Sequence, residues 1–303
     1  MLSARPWNAN AIVRLVLCVV VCLFCGSLLI GIIQHIKAGP KPDLRYYRLT
    51  ASALGCAAVA FGFVYRPWNR DNLVSRLGGY LVCLYGGILL GTLAQKTIEH
   101  SGPSVTQMIV ASLSAQGAAL VLIPHFLREQ QLSWQEAFGF GNNRKQSIML
   151  GVILACLFLP LGMGLQWLSA QVMIHLPWIP IKPQQQESVQ TLQMAVTWFH
   201  RIVLGIVTIV LAPVAEEMFF RGILYPAIKQ AGFPRVALWG TALFFAAIHM
   251  NLVTFVPLLV LALGLTLVYE RTDNLLAPIT AHALFNAMNF TILYSSFGPP
   301  APN

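Results

Sequence analysis

Acidic residues are what this chain has least of: Asp and Glu together number ten among 303 residues, and charged residues of both signs make up only 10%. Soluble domains carry about 25% charged residues to coat their surface, so a water-soluble globule is excluded. The net charge of +9 reflects scarce acids more than abundant bases. Lys and Arg are scattered through the loops and never form a run, which removes the support for a nucleic-acid partner. All six cysteines fall inside apolar stretches, without zinc-site or disulfide spacing, and read as small core residues. The apolar runs are long and continuous, which excludes an outer-membrane barrel built from strands of about ten alternating residues.

What is present is apolar: 57% of residues are hydrophobic and the mean hydropathy is +0.68. A bilayer core of about 30 Å takes some 20 helical residues to cross. The fold class expected is therefore all-α, a polytopic transmembrane helical bundle of about eight or nine spans. Apolar runs place them near 11–33, 49–65, 77–95, 106–126, 146–173, 200–229, 234–249, 252–270 and 275–297. The first run is too long for a signal-peptide core and is expected to be retained. Only Met250 and Asn251 separate the seventh and eighth runs, so their junction is expected inside the protein. More of the flanking Lys and Arg lie on the side of the N-terminus, which implies a cytoplasmic N-terminus. The stretch Ser188 to His200 reads as one amphipathic helix lying at the interface and leading into the sixth span.

Most acids sit in loops by this reading: Asp43, Asp71, Glu99, Glu129, Glu136, Glu187, Glu270 and Asp273. Glu216 and Glu217 are the exceptions. They lie in the apolar run Ile206 to Tyr225, where an uncompensated charge costs at least about 2.5 to 3.5 kcal/mol. Arg221 follows Glu217 by four residues, so the two face each other on a helix and can remain charged as a pair. Glu216 points about 100° away, to a face where the local sequence supplies no opposite charge, and is a candidate base. The four-residue spacing recurs twice more: Phe245 with His249, and His282 with Asn286. Together these groups supply a base, two proton-sharing rings and an amide donor. A hydrolytic site needs those parts to deprotonate water and hold an oxyanion. Glu217 and Arg221 fit a structural pair, and Phe245 a packing residue shaping the site.

Other protease chemistries lack their residues. Every aspartate lies in a loop, which leaves no intramembrane aspartyl pair. His-Glu-x-x-His and Gly-x-Ser-x-Gly are both absent, and Cys156 has no neighbouring base that the sequence identifies.

Three motifs in order, Glu-Glu-x-x-x-Arg at Glu216, Glu217 and Arg221, Phe-x-x-x-His at Phe245 and His249, and His-x-x-x-Asn at His282 and Asn286, resemble the CAAX prenyl endopeptidase and bacteriocin-processing (CPBP or Abi) family. The resemblance covers about the last third of the chain. It implies an intramembrane glutamate-type endopeptidase acting on a membrane-associated protein or peptide. In that reading Glu216 with His249 activates a water, His282 and Asn286 hold the oxyanion, and Glu217, Arg221 and Phe245 support the site. It also divides the chain into 1–180, transmembrane helices without recognised motifs, and 181–303, a catalytic helical core. No cofactor is expected; a catalytic zinc held by two histidines and a glutamate is chemically sound but disfavoured, since Asn286 suits an oxyanion donor better than a metal ligand. The location implied is the inner (cytoplasmic) membrane. Two readings from other classes stay open: a proton-coupled transporter using Glu216, His249 and His282 as a relay, and a non-catalytic immunity or scaffold protein that retains the fold.

Overall fold

A computed structural model describes residues 7–38, 105–141, 143–175, 183, 185–193 and 197–295, and every regular element among them is helical. They group into two compact units, one running from Asn10 to Phe126 and the other formed by the chain up to Ala9 and from Leu127 onward. The first unit contains α1 (Ala9–Ala38) but for its first residue and most of α2, which passes through Val105–Ser112, a π-helical turn Leu113–Gly117 and Ala118–Glu129. The spans expected at 49–65 and 77–95 lie outside the described residues.

The second unit holds α3 (Trp134–Phe138), α4 (Arg144–His175), α5 (Glu187–Gln193), α6 (Trp198–Gln230), α7 (Pro234–Ala247), α8 (Leu252–Thr272) and α9 (Leu276–Ser295). Among the described residues, five helices are long and apolar enough to cross a membrane: Met108–Glu129 within α2, α4, α6, α8 and α9. The chain is an integral membrane protein. At 1.5 Å per residue, the 14-residue α7 reaches about 21 Å, short of a full crossing.

Small residues let these helices approach closely, as they must where lipid offers no hydrophobic drive between spans. A methyl group on Gly151 of α4 would stand 2.6 Å from the Ala277 carbonyl oxygen of α9, so the two backbones are nearly in contact there. Phe220, Ala242, Phe245 and Ala262 form one buried cluster joining α6, α7 and α8. Leu261, Leu265 and Ala281 form a second, between α8 and α9, with Leu154 and Phe158 of α4 against it.

Three local expectations are corrected. The stretch Ser188 to His200 is not one helix: Thr197 is extended (φ −97°, ψ 149°), its hydroxyl accepts from the His200 amide, and α6 starts afresh after this cap. The α7 to α8 junction lies at the protein surface, with Met250 88% exposed. It needs no burial, because Met250 turns the chain at φ 50° and the Asn251 side chain accepts from the Thr254 amide. Glu129, Glu136, Glu187 and Glu270 stand on helices instead of in loops. Glu136 closes a capping box with Ser133. Glu270, near the end of α8, accepts from the Tyr225 hydroxyl and the Lys229 ammonium.

Candidate active site

α6 carries the first motif, and its backbone alternates between two registers. Trp198–Ile206 is α-helical, Val207–Leu211 is π-helical, Ala212–Glu217 is α-helical, Met218–Leu224 is π-helical and Tyr225–Gln230 is α-helical. The pattern follows from two prolines. Each π turn is followed at the second position by a residue with no N–H, Pro213 and Pro226, and the amide just before it reaches back five residues, Ala212 to Val207 and Tyr225 to Phe220. Widening the turn by one residue relieves the clash that a proline ring makes with an α-helical carbonyl. Glu216 and Glu217 thus lie between two local distortions of one helix, and Arg221 lies within the second.

At the centre Glu217 is fully buried, and Arg221 of the same helix is 2% exposed. Arg221 Nη1 donates to Glu217 Oε1 at 2.8 Å, Nη2 donates to the Ala262 carbonyl of α8 at 3.2 Å, and the guanidinium carbon lies 4.6 Å from the centre of the Phe245 ring. The same Glu217 Oε1 lies 2.8 Å from His282 Nδ1. A carboxylate can only accept, so Nδ1 carries the proton and Nε2 is the nitrogen free to act. His282 Nε2 lies 3.9 Å from Glu216 Oε2. This is longer than a hydrogen bond and within the range over which proton-transfer partners tighten around a substrate. Glu217 Oε2 is buried with no hydrogen-bond partner among the described residues.

His249 follows the end of α7. Its Nδ1 lies 2.7 Å from the Phe245 carbonyl, which again assigns the proton to Nδ1 and the lone pair of the neutral ring to Nε2. One phenyl ring touches both imidazoles: the centre of Phe245 is 4.9 Å from that of His249 and 5.8 Å, edge-on, from that of His282. Phe245, read from the sequence as packing, also forms the aromatic face for Arg221. Asn286 stands one turn along α9 from His282, and its Nδ2 donates to the Thr208 carbonyl of α6 at 2.9 Å.

α6 and α9 run antiparallel, in a register that these contacts define: Glu217 with His282, Thr208 with Asn286, Gly205 with Phe290, and Arg201 with Tyr294. The first motif's ion pair was legible in its spacing, whereas the Glu217 to His282 bond joins residues 65 apart and has no local signal. Thr208 was missed as well; the one sequence cue was a proline five residues later in an apolar helix.

Among the described residues, no group of three His, Cys, Asp or Glu side chains is arranged to hold a metal ion. His282 Nδ1 is committed to Glu217 and His249 Nδ1 to a carbonyl, and the Glu217 carboxylate is neutralised by Arg221.

Residues 198–288, from the start of α6 into α9 and through all three motifs, match the model of a family described as type II CAAX prenyl endopeptidase Rce1-like. This is the family that the motifs resemble, and the match covers less than a third of the chain. The chain is also similar to a protein of Bacillus subtilis (strain 168) named "Uncharacterized protein YpbD", at 36% identity over 78 residues. That segment is 24% of this chain and spans 37% of the relative's length. No solved structure matches the chain.

Proposed function

We propose that this protein is a glutamate-type intramembrane endopeptidase, hydrolysing a peptide bond of a membrane-associated protein or peptide without a metal, in the inner (cytoplasmic) membrane. The observation that carries the reading is the 3.9 Å approach of Glu216 Oε2 to His282 Nε2, beside a Glu217 carboxylate already neutralised by Arg221.

Charge balance assigns the roles. With Glu217 and Arg221 cancelling, Glu216 and His282 are left with one negative charge between them, and a single added proton makes the four groups neutral. When the proton is on His282 Nε2, Glu216 is the base and the imidazolium is an oxyanion donor. Glu216, acting with His249, takes a proton from water as the oxygen attacks the peptide carbonyl carbon. The tetrahedral oxyanion accepts hydrogen bonds from His282 Nε2–H and Asn286 Nδ2–H. Glu216 then returns its proton to the departing amine as the C–N bond breaks. The bilayer supplies the substrate and no nucleic acid takes part.

The test is cleavage of a membrane-tethered reporter by purified full-length protein, with bound metal measured in the same sample. Glu216→Gln keeps shape and hydrogen bonding while removing the proton acceptor, so cleavage should drop by roughly 10²- to 10⁴-fold with melting temperature unchanged. Full activity in Glu216→Gln would overturn the assignment. Stoichiometric zinc whose removal abolishes cleavage would make the enzyme a metalloprotease, and a folded wild type that cuts no tethered peptide would shift the reading to the transporter or scaffold.

A further inference from the structure

The Asn286 carboxamide is held by a backbone group that an ordinary helix would not offer. In an α-helix the Thr208 carbonyl would accept from the Ala212 amide, and in a π turn from the amide of residue 213. Ala212 N–H is bonded to Val207 instead, and residue 213 is Pro213, which has no N–H. Neither register leaves a donor for the Thr208 carbonyl, and the group that reaches it is Asn286 Nδ2 from α9, at 2.9 Å. A carbonyl can only accept, so this contact fixes which end of the carboxamide is nitrogen. It holds one of the two N–H groups and leaves the second as a donor of set direction, one turn from His282.

We infer that Pro213 is a positioning residue for Asn286: by withholding one backbone N–H it opens the Thr208 carbonyl, and that carbonyl orients the Asn286 amide for the oxyanion. The inference rests on the endopeptidase reading for its consequence in catalysis, while the hydrogen-bond coupling stands without it. Pro213 thereby gains a role beyond tolerance of a helix distortion. A residue with an N–H at position 213 lets α6 reclaim the Thr208 carbonyl, and the carboxamide loses its anchor. Asn286→Ala has the opposite local effect, leaving the carbonyl with no donor from either helix.

The experiment is a double-mutant cycle of Pro213→Ala and Asn286→Ala in the full-length protein, read by thermal unfolding in detergent micelles and by reporter cleavage. Asn286→Ala should lower the melting temperature by several degrees, and adding Pro213→Ala should restore part of that loss, because the new N–H satisfies the abandoned carbonyl. In cleavage, Pro213→Ala alone should reduce kcat on the order of 10- to 100-fold, the scale of a misplaced catalytic group, with KM little changed. In the Asn286→Ala background it should cost nothing more. Pro213→Ser supplies the same N–H and should behave as Pro213→Ala does. Additive melting losses, independent losses that multiply in kcat, or a Pro213→Ala protein that fails to fold would each overturn the inference. If wild type cleaves no reporter, the endopeptidase reading fails, and the melting arm still decides the coupling.

Discussion

Arg221 tests how the buried charges are held. It is almost wholly enclosed and directs its guanidinium at three partners on three helices: Glu217 on α6, the Ala262 carbonyl on α8 and the Phe245 ring on α7. Removing it strands Glu217 as a buried charge, and breaking such a pair from one side costs about 3 to 5 kcal/mol. Arg221→Ala should therefore sharply lower folded yield and melting temperature. The double variant Glu217→Gln with Arg221→Met removes both charges and should lose less stability than Arg221→Ala alone. Equal stability of wild type and Arg221→Ala would show that the pair is not structural. The sequence disclosed this pair through its four-residue spacing, because a single helix fixes that geometry. It did not disclose that Glu217 also binds His282, which sits on a helix placed by tertiary packing alone.

Short elements also bear on the catalytic helix. α3 has only five residues, too few to persist by helix propensity, yet it buries Ala137 and Phe138 completely. The Phe138 ring lies against Gly222, next to Arg221 in the second π turn; a methyl group on Gly222 would stand 2.5 Å from a ring carbon. The Phe138 carbonyl accepts from the Leu275 amide ahead of α9. α3 thereby contacts both helices that carry Glu216 and His282, α6 beside Arg221 and α9 at its start. Its first turn is fixed by Ser133 and Glu136: the Ser133 amide and hydroxyl donate to Glu136 Oε2 at 2.9 and 2.7 Å, which holds this exposed carboxyl below its ordinary value of 4.5. A depressed carboxyl pKa contributes stability above the unfolded value, and that contribution is lost as pH falls through the folded value. Amide exchange in residues 133–138 should therefore accelerate, relative to α6 and α9, as pH drops below about 4.5. In Glu136→Gln, which stays neutral, the local acid dependence should disappear. An unchanged acid dependence in that variant would assign the effect elsewhere. Ser133-x-x-Glu136 is a capping signal readable in sequence, as is Thr197 before α6, whereas the π turns depend on hydrogen-bond register and are hinted at only by Pro213 and Pro226.

At the scale of the whole molecule, the apolar runs from residue 106 onward predicted the long helices within a few residues, because a bilayer demands continuous apolar length. What the runs could not supply is which face of each helix meets lipid. α4 settles that for one helix: Ile153, Leu157, Met163 and Trp167 are 46%, 62%, 51% and 65% exposed, while Gly151 and Ala155 are buried and Gly151 meets α9. Such a strip of exposed apolar side chains is far larger than soluble proteins leave in water, so lipid is its solvent. Cys156 lies on this exposed side, twelve residues from Arg144 and thus about 18 Å along the axis, deep in a hydrocarbon core of about 30 Å. The prediction uses a variant that retains Cys156 as its sole cysteine, embedded in native membranes. A charged, water-soluble maleimide should leave it unmodified, a membrane-permeant apolar maleimide should label it, and denaturation in detergent should open it to both. Ready labelling of the membrane-embedded protein by the charged reagent would place this face of α4 against water, and the exposed strip would then have to line an aqueous cavity instead of facing lipid.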